Sequence, residues 1–569
     1  MTTLARAYGV ALEGLTGTPV EVQTHVGPGI VGTTLVGLPD ASLREAKERV
    51  RAALFSCGIP TLNRRVTVNL SPADLPKSGS AFDMAIAVSM LVARGLMVTD
   101  VTIGTVYYAE LGLDGSLQPV PGVLSAALLA KDAGFDRIVV PPSMAGEARL
   151  VAGLEVIPVG HLEWMLKTFS PQRITGAKDI GYAWKAVVEA GERFPQEETH
   201  DQAGRYVGHD QPSRHQPARD RVGAEQGQFD LFGRAGGAHL TGSRSLDLAD
   251  VRGQDDVIEA LALAAVGAHH VLLRGIPGVG KTMLAARLPT LLPDLEPQEA
   301  ITVTAIRSLA APPGTAANLA KRPPLQVPHH SATLVALVGG GNPIRPGAVS
   351  LAHGGVLLLD EAPEFQPRTL DALRQPLEAG SITVHRARQQ AQFPARFQLV
   401  MTANPCPCGG GADSATSSKG CTCSWAKKKN YWSRLSGPLL DRIDLNVEVS
   451  RPHRSDLAHP SHHTGENVRG RVAEARERTK RRLRDTPWKL NSEVPGRYLR
   501  SSAYVPKHYL ATLDRSVDSG LISLRGADRI LRLAWSAADL GGRGAPNAND
   551  FALAMKLRGE MGTQDGTIS

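Results

Sequence analysis

The sequence predicts an α/β protein of several domains, on three observations. An apolar strand, Val271-Leu-Leu-Arg, runs into Gly275-Ile276-Pro277-Gly278-Val279-Gly280-Lys281-Thr282 and then into a helix-like MLAARL. From Met1 to about Leu166, β-like runs (RVTVNL, RIVVPP, LEVIPV) alternate with helix-like ones (SLREAKERVRAALF, GVLSAALLAKDAGF). Between these regions, from about Gly191 to Ser245, the chain is rich in Gln, His, Asp, Arg and Gly, and buries too little apolar surface to offset its ordering entropy.

The expected division is an N-terminal α/β domain (1–170), a linker (171–245) that is largely flexible from about 191, a nucleotide-binding core (246–450) and a helical end (451–569). VAEARERTKRRLRD and GADRILRLAWSAADL carry the clearest helical periods of that end. The most apolar window, Ala81 to Val98, is interrupted by Asp83 and Arg94, so no transmembrane helix and no membrane partner is expected. The N-terminus MTTLARAYGVALEG lacks a basic head, a long apolar core and a cleavage site, which argues for a cytoplasmic protein. A net charge of +8 fits a polyanionic partner such as nucleic acid, and fits solubility alone equally well.

The loop 275–282 is GxxxxGK[ST]. Its glycines let backbone N–H groups point inward around phosphates, Lys281 reaches β and γ oxygens, and the Thr282 hydroxyl ligates magnesium. ATP with magnesium is the expected ligand. Further on, Gly355-Val-Leu-Leu-Leu359-Asp360-Glu361 is an apolar strand ending in two acids. Asp360 is placed to hold magnesium through water, and Glu361 to polarise the water attacking the γ-phosphate.

A third buried strand, Phe397 to Asn404, ends in an amide that would orient the lytic water, unless Asn404 simply turns the chain before Pro405. Around the turn Arg434-Leu-Ser-Gly-Pro-Leu-Leu-Asp-Arg442, Arg442 is the first choice, over Arg434, as an arginine finger acting in trans. The alternative is a structural arginine paired with Asp441 or Asp444. Arg525, after Ser523, is placed to fold over the nucleotide, with Arg532 as competitor.

Five cysteines are present, and Cys406-x-Cys408 with Cys421-x-Cys423 supplies four thiolates, enough for one tetrahedral zinc. CxC is tighter than the usual CxxC, so two incidental reduced pairs or a redox role stay open. Cys57 stands alone in an apolar helix and reads as core packing. His329 and His330 read as hydrogen-bonding imidazoles, since no acid or Cys lies at ligand spacing.

Taken in order, these motifs resemble an AAA+ ATPase of the magnesium-chelatase clade, and more narrowly the ComM/YifB group. The group-like segments include DLADVRGQ (247–254), AAVGAHHVLLRGIPGVGKTMLAARLP (264–289), PHHSATLVALVGGG (328–341), RPGAVSLAHGGVLLLDEAPEF (345–365), LRQPLEAG (373–380), NPCPCG (404–409) and SGPLLDRIDL (436–445). VGLPDASLREAKERVRAAL (36–54), VNLSPADLPKSGSAFDMAIA (68–87) and ELGLDGSLQPVPGVLSAALLA (110–130) look like the Lon-protease-like domain that precedes the ATPase in this group. The resemblance implies an α/β/α ATPase core, a helical lid carrying Arg525, and a ring of subunits, hexameric in the group. It departs from the group's pattern at Ala348, where an acid is usual, and at VPHH, which replaces the usual basic-aromatic approach to PHH.

Where a Lon-type protease carries its nucleophilic Ser this chain has Ala81, and the dyad Lys falls near Ala126, so neither hydroxyl nor amine is in register. Ser78 or Ser80 with Lys77 as base is disfavoured, because adjacent residues in an extended turn point apart. Proteolysis is therefore not expected.

Three functions remain: a ring motor that moves DNA branches in recombination or natural transformation, a chelatase-like motor that remodels a protein partner, and, least favoured, an ATP-dependent protease. For DNA, Lys419, Lys427, Lys428, Lys429, Tyr431 and Trp432 form a basic and aromatic patch, and Thr383-Val-His385-Arg386-Ala-Arg388 reads as a hairpin for a ring pore. Single-stranded or branched DNA is the expected partner. The basic run Arg469 to Arg484 reads as a solvated helix face.

Overall fold

The computed structural model describes residues 3–37, 41–193 and 247–559, apart from 74, 76, 78, 175, 316–317, 342, 387–388, 411–420, 453, 458–462 and 502–504. The stretch 194–245 of the expected linker, Ser78, Arg388 and Lys419 lie outside the described residues.

The N-terminal part is built on a seven-stranded mixed sheet in the order Gly32–Val36, Arg65–Ser71, Thr16–Gly27, Thr3–Glu13, Thr105–Tyr107, Arg137–Val140, Glu155–Pro158. Thr3–Glu13 and Thr16–Gly27 pair antiparallel from Thr3↔Val26 to Glu13↔Thr16, turning at Gly14 with φ 72°. From Thr3–Glu13 to Glu155–Pro158 the pairings are parallel. Such strands bury both faces and so read as continuous apolar runs like RIVV. One face is covered by helices Ala41–Ser56 and Asp83–Ala93, the other by Val123–Asp132 and Pro142–Ala148. Helix Ala177–Arg193 places Trp184 and Val187 in the first of these cores, so the N-terminal body extends past residue 170 into the expected linker.

This body sits on the following region. Ala305 of helix Pro297–Ala310 is buried among N-terminal side chains. Gly122, at φ 83°, lets Leu309 approach so closely that a Cβ there would lie 2.6 Å from Leu309 Cδ2. Gly14 also bridges to Gln392 of a hairpin formed by Ser381–Arg386 and Gln389–Pro394.

The central region is a five-stranded parallel sheet in the order Leu325–Gln326, Val356–Leu359, Gln398–Ala403, Val271–Arg274, Leu445–Glu448. Val271 lies opposite Val400 on one side and Leu445 on the other. Because all strands run the same way, the residues that follow them, Gly275, Asp360 and Asn404, gather along one edge. A ligand crevice is expected at the carboxyl edge of such a sheet.

The C-terminal region is helical. Leu524–Leu540 buries Ile530, Leu531, Leu533, Ala534 and Trp535 against helices Asp255–Gly267 and Gly465–Leu483. Its start is set by Ser523, whose hydroxyl accepts from Gly526 N. The basic run in Gly465–Leu483 is not a solvated face, because most of its charges are committed to partners. Arg469 meets Asp294, Arg471 pairs in fork geometry with Glu259, Lys480 meets Glu296, Arg476 donates to the Ala265 carbonyl and Arg482 reaches the buried Asp539. These contacts staple the helix to Asp255–Gly267, to the segment 294–296 and to Leu524–Leu540. Among the described residues no helix is long and apolar enough to cross a membrane.

Candidate functional site

The loop 275–282 leaves its strand with little room for variation. Gly275 donates to the Ala403 carbonyl, and a Cβ on it would lie 2.3 Å from the Val449 carbonyl oxygen, so only glycine fits. Gly278 and Gly280 have φ of 80° and 91°, a region that glycine enters without steric cost. Val279 is buried and anchors the loop, while Pro277 and Gly278 are exposed and Ile276 is half-buried. Helix Lys281–Leu291 starts directly behind the loop, adding its positive N-terminal end to the same place.

The Lys281 ammonium is buried and donates to three oxygens: the Gly275 carbonyl at 2.8 Å, the Ile276 carbonyl at 3.0 Å and Asn404 Oδ1 at 2.9 Å. Burial lowers its pKa, and the nearby Asp360 and Glu361 carboxylates oppose that shift. Asp360 Oδ1 accepts from the Thr282 hydroxyl at 2.8 Å and from the Thr402 hydroxyl at 2.7 Å. The same Thr402 oxygen accepts from Glu361 N at 2.9 Å. Glu361 has φ 52°, a left-handed conformation unusual for a residue with a Cβ, and such backbone strain concentrates at functional sites. Loop, acid pair and amide, remote in sequence, thus form one cluster of an ammonium, two carboxylates, a hydroxyl and an amide. Thr282 and Asp360 are among the groups there whose oxygens could hold a magnesium ion.

The arginines gather elsewhere. Arg442 pairs with Glu378 rather than with Asp441 or Asp444, and Arg434 donates to the Pro363 carbonyl and to Glu364. Arg525 is well exposed and pairs with Asp441 at 3.0 Å, so it stands beside Arg442 and not on the 275–282 loop. Arg532 is committed within the C-terminal region, donating to the Val494 carbonyl.

The four cysteine sulfurs lie within 4.8 Å of one another. Cys406 to Cys408 is 3.3 Å, Cys406 to Cys421 is 3.4 Å and Cys408 to Cys421 is 3.7 Å. A zinc tetrathiolate with bonds of about 2.3 Å has tetrahedral edges of about 3.8 Å, so the cluster has the size of such a site. The patch beside it does not offer the expected stacking surface. Tyr431 is buried and the Trp432 indole N–H donates to the Pro405 carbonyl, so both rings belong to the fold, while Lys429 lies over the exposed Trp425. Lys427 and Lys429 are exposed and Lys428 half-buried. His329 bonds Ser331 through Nδ1. Cys57 is half-buried against the N-terminal core.

Three family descriptions match: "Magnesium chelatase, subunit ChlI" over residues 247–457, "Subunit ChlI of Mg-chelatase" over 21–144, and "Magnesium chelatase, subunit ChlI C-terminal" over 462–558. An uncharacterised protein of Mycobacterium tuberculosis is 40% identical over 98% of each chain. The competence protein ComM of Haemophilus influenzae is 35% identical over 95% of this chain and 94% of its own length. The uncharacterised protein YifB of Escherichia coli is 34% identical over 95% and 94%. The chain belongs to the ComM/YifB-type, magnesium-chelatase-like family.

As a ComM/YifB-type protein it is a chelatase-clade AAA+ protein, and sequence reasoning missed two residues, one in the 275–282 cluster and one in the arginine segment. Thr402 carries no motif of its own. Its only signal is alternation, since it lies two residues before Asn404 and so shares that residue's side of the strand. Arg529, one turn beyond Arg525, donates to the Ile443 carbonyl next to Arg442 and lies 3.5 Å from Asp444. This links the C-terminal helices of the ComM/YifB-type chain to its arginine segment.

Proposed function

We propose that this protein is an ATP-hydrolysing ring motor that migrates DNA branches. The observation that carries the ATPase part is the convergence of Lys281, Asn404, Thr282 and Asp360 through direct hydrogen bonds. In this reading the 275–282 loop holds the phosphates, Thr282 and Asp360 hold magnesium, Glu361 activates water and Asn404 orients it. Magnesium, when bound, would shield the γ-phosphoryl charge.

Arg525 pairs with Asp441, next in the chain to Arg442, and this segment precedes strand Leu445–Glu448, at the opposite edge of the sheet from the loop that follows Arg274. We therefore assign both to the nucleotide of a neighbouring subunit in a ring, hexameric as in the group, so that turnover requires assembly. The N-terminal body is assigned as a Lon-protease-like domain without the Ser-Lys dyad: Ala81 and Ala126 stand at the matching positions, and Lys77 is buried and donates to the Pro72 carbonyl. The C-terminal helices serve as the lid, and the four cysteines bind one structural zinc. The working compartment is the cytoplasm.

DNA as substrate is supported by the relative named a competence protein and by the exposed His385 and Arg386 on the hairpin. The second reading, a chelatase-like motor acting on a protein client, is favoured by the magnesium-chelatase descriptions matched along the chain. The deciding experiment offers the purified protein a labelled four-way junction with ATP and magnesium. Strand displacement dependent on ATP supports the DNA motor. Steady ATP hydrolysis with the junction intact would refute it in favour of the client-remodelling reading.

A further inference from the structure

The cysteine cluster stands against the nucleotide site, tied to it by a shared stretch of backbone, by one close approach and by a hydrogen bond that fixes the connecting carbonyl. Cys406 is buried and follows Asn404 by two residues, so the first sulfur and the amide that accepts from Lys281 share one short stretch of backbone. At Gly409 the chain turns with φ 75°, and a Cβ there would lie 2.4 Å from Cγ of Pro277, so this turn rests on the phosphate loop itself. The carbonyl between Asn404 and Cys406, that of Pro405, is fixed by the Trp432 indole N–H at 3.1 Å.

We propose that zinc held by Cys406, Cys408, Cys421 and Cys423 is a positioning element for hydrolysis, fixing Asn404 and Pro277 relative to each other. This rests on the zinc and ATPase readings above. The sulfurs sit at tetrahedral spacing, while the segment 404–410 has little apolar surface of its own to hold its shape, and a metal supplies that order. Without it, the turn at Gly409 no longer presses on Pro277, and Asn404 is free to leave Lys281. A displacement of about 1 Å in a group that orients a nucleophile costs on the order of 10²-fold in rate, whereas phosphate binding by the loop backbone and Lys281 depends on it less. The predicted signature is a fall in kcat with little change in nucleotide affinity.

Cys421 gives the test, because it is remote from Asn404 in sequence; it touches Cys406 directly, so the metal-keeping Cys421→His variant separates loss of zinc from loss of that contact. Full-length wild type, Cys421→Ala and Cys421→His are compared for zinc content, for affinity toward a fluorescent ATP analogue and for ATPase kcat and KM. Wild type should hold about one zinc per chain. Cys421→Ala should lose it, with kcat down at least about tenfold and analogue affinity within about threefold, and Cys421→His, which keeps a fourth ligand, should regain both zinc and kcat. Loss of zinc in Cys421→Ala with kcat unchanged overturns the coupling and leaves the zinc reading intact. Wild type that binds no zinc overturns that reading and this inference together, and metal analysis alone tells the two failures apart.

Discussion

The Lys281 ammonium donates to the Asn404 side-chain oxygen at 2.9 Å, joining the start of a helix to the end of a strand 123 residues away in sequence. The contact makes the loop and the amide one unit, so each should be needed for turnover but for different steps.

Lys281→Ala removes the only side-chain ammonium in the loop and should abolish measurable nucleotide binding. Glu361→Gln keeps the shape and loses the base, so it should bind ATP normally while kcat falls by about 10²-fold or more. Titration with a fluorescent nucleotide, alongside phosphate release, separates the two. Normal turnover by Glu361→Gln would remove that residue from the mechanism.

Thr402 holds both acids, through Asp360 Oδ1 and Glu361 N. Thr402→Val leaves Glu361 N without its acceptor and Asp360 Oδ1 with the Thr282 hydroxyl alone, and a buried group that loses its partner costs about 1–3 kcal/mol. We expect kcat to drop by roughly tenfold with KM nearly unchanged, and Thr402→Ser to restore it. Steady-state ATPase assays decide, and wild-type kcat in the valine variant would show that the hydroxyl only supports the fold.

Arg442 and Arg525 lie together beside Asp441 and away from their own loop. If both are donated to a neighbour, mixing inactive Arg442→Ala with inactive Lys281→Ala should restore part of the ATPase activity, since some interfaces then pair an intact loop with an intact finger. A mixture as inactive as its components places Arg442 in the site of its own chain.

Two imidazoles, the buried His353 and the half-buried His270, set a pH dependence. His270 and His353 accept backbone N–H bonds at Nδ1, from Leu399 and Arg396, and burial pulls both down to about 4. Their unfolded value is about 6.5, so their stability is complete above it and is lost as pH falls toward 4. Asp83 acts oppositely: burial pushes it up to about 6, so its share weakens as pH rises from about 4 to 6. The two histidines should outweigh Asp83 and Glu299, whose carboxyl burial also raises, and lower Tm between about pH 7 and 5, as thermal unfolding will show. A Tm that rises over that interval contradicts the assignment.

The loop, the acid pair and Asn404 were legible because their chemistry is local. A glycine at positive φ, a lysine one residue later and an apolar strand before it are consequences of neighbouring residues. The buried strands were legible for the same reason, since strands buried on both faces must be apolar throughout, while their parallel pairing came only with the structure.

What the sequence could not supply were partners that depend on chain crossings. Arg442 had two acids close by and chose Glu378, which the fold delivers from another helix. The basic run 469–484 looked solvated because its acids lie on other segments, Asp294, Glu259 and Glu296 more than 170 residues away and Asp539 57 residues away. Tyr431 and Trp432 looked available to bases until packing buried one and bonded the other. Charge and aromatic character belong to the sequence, but exposure and pairing are properties of distance, and distance between remote segments is set only when the tertiary structure closes.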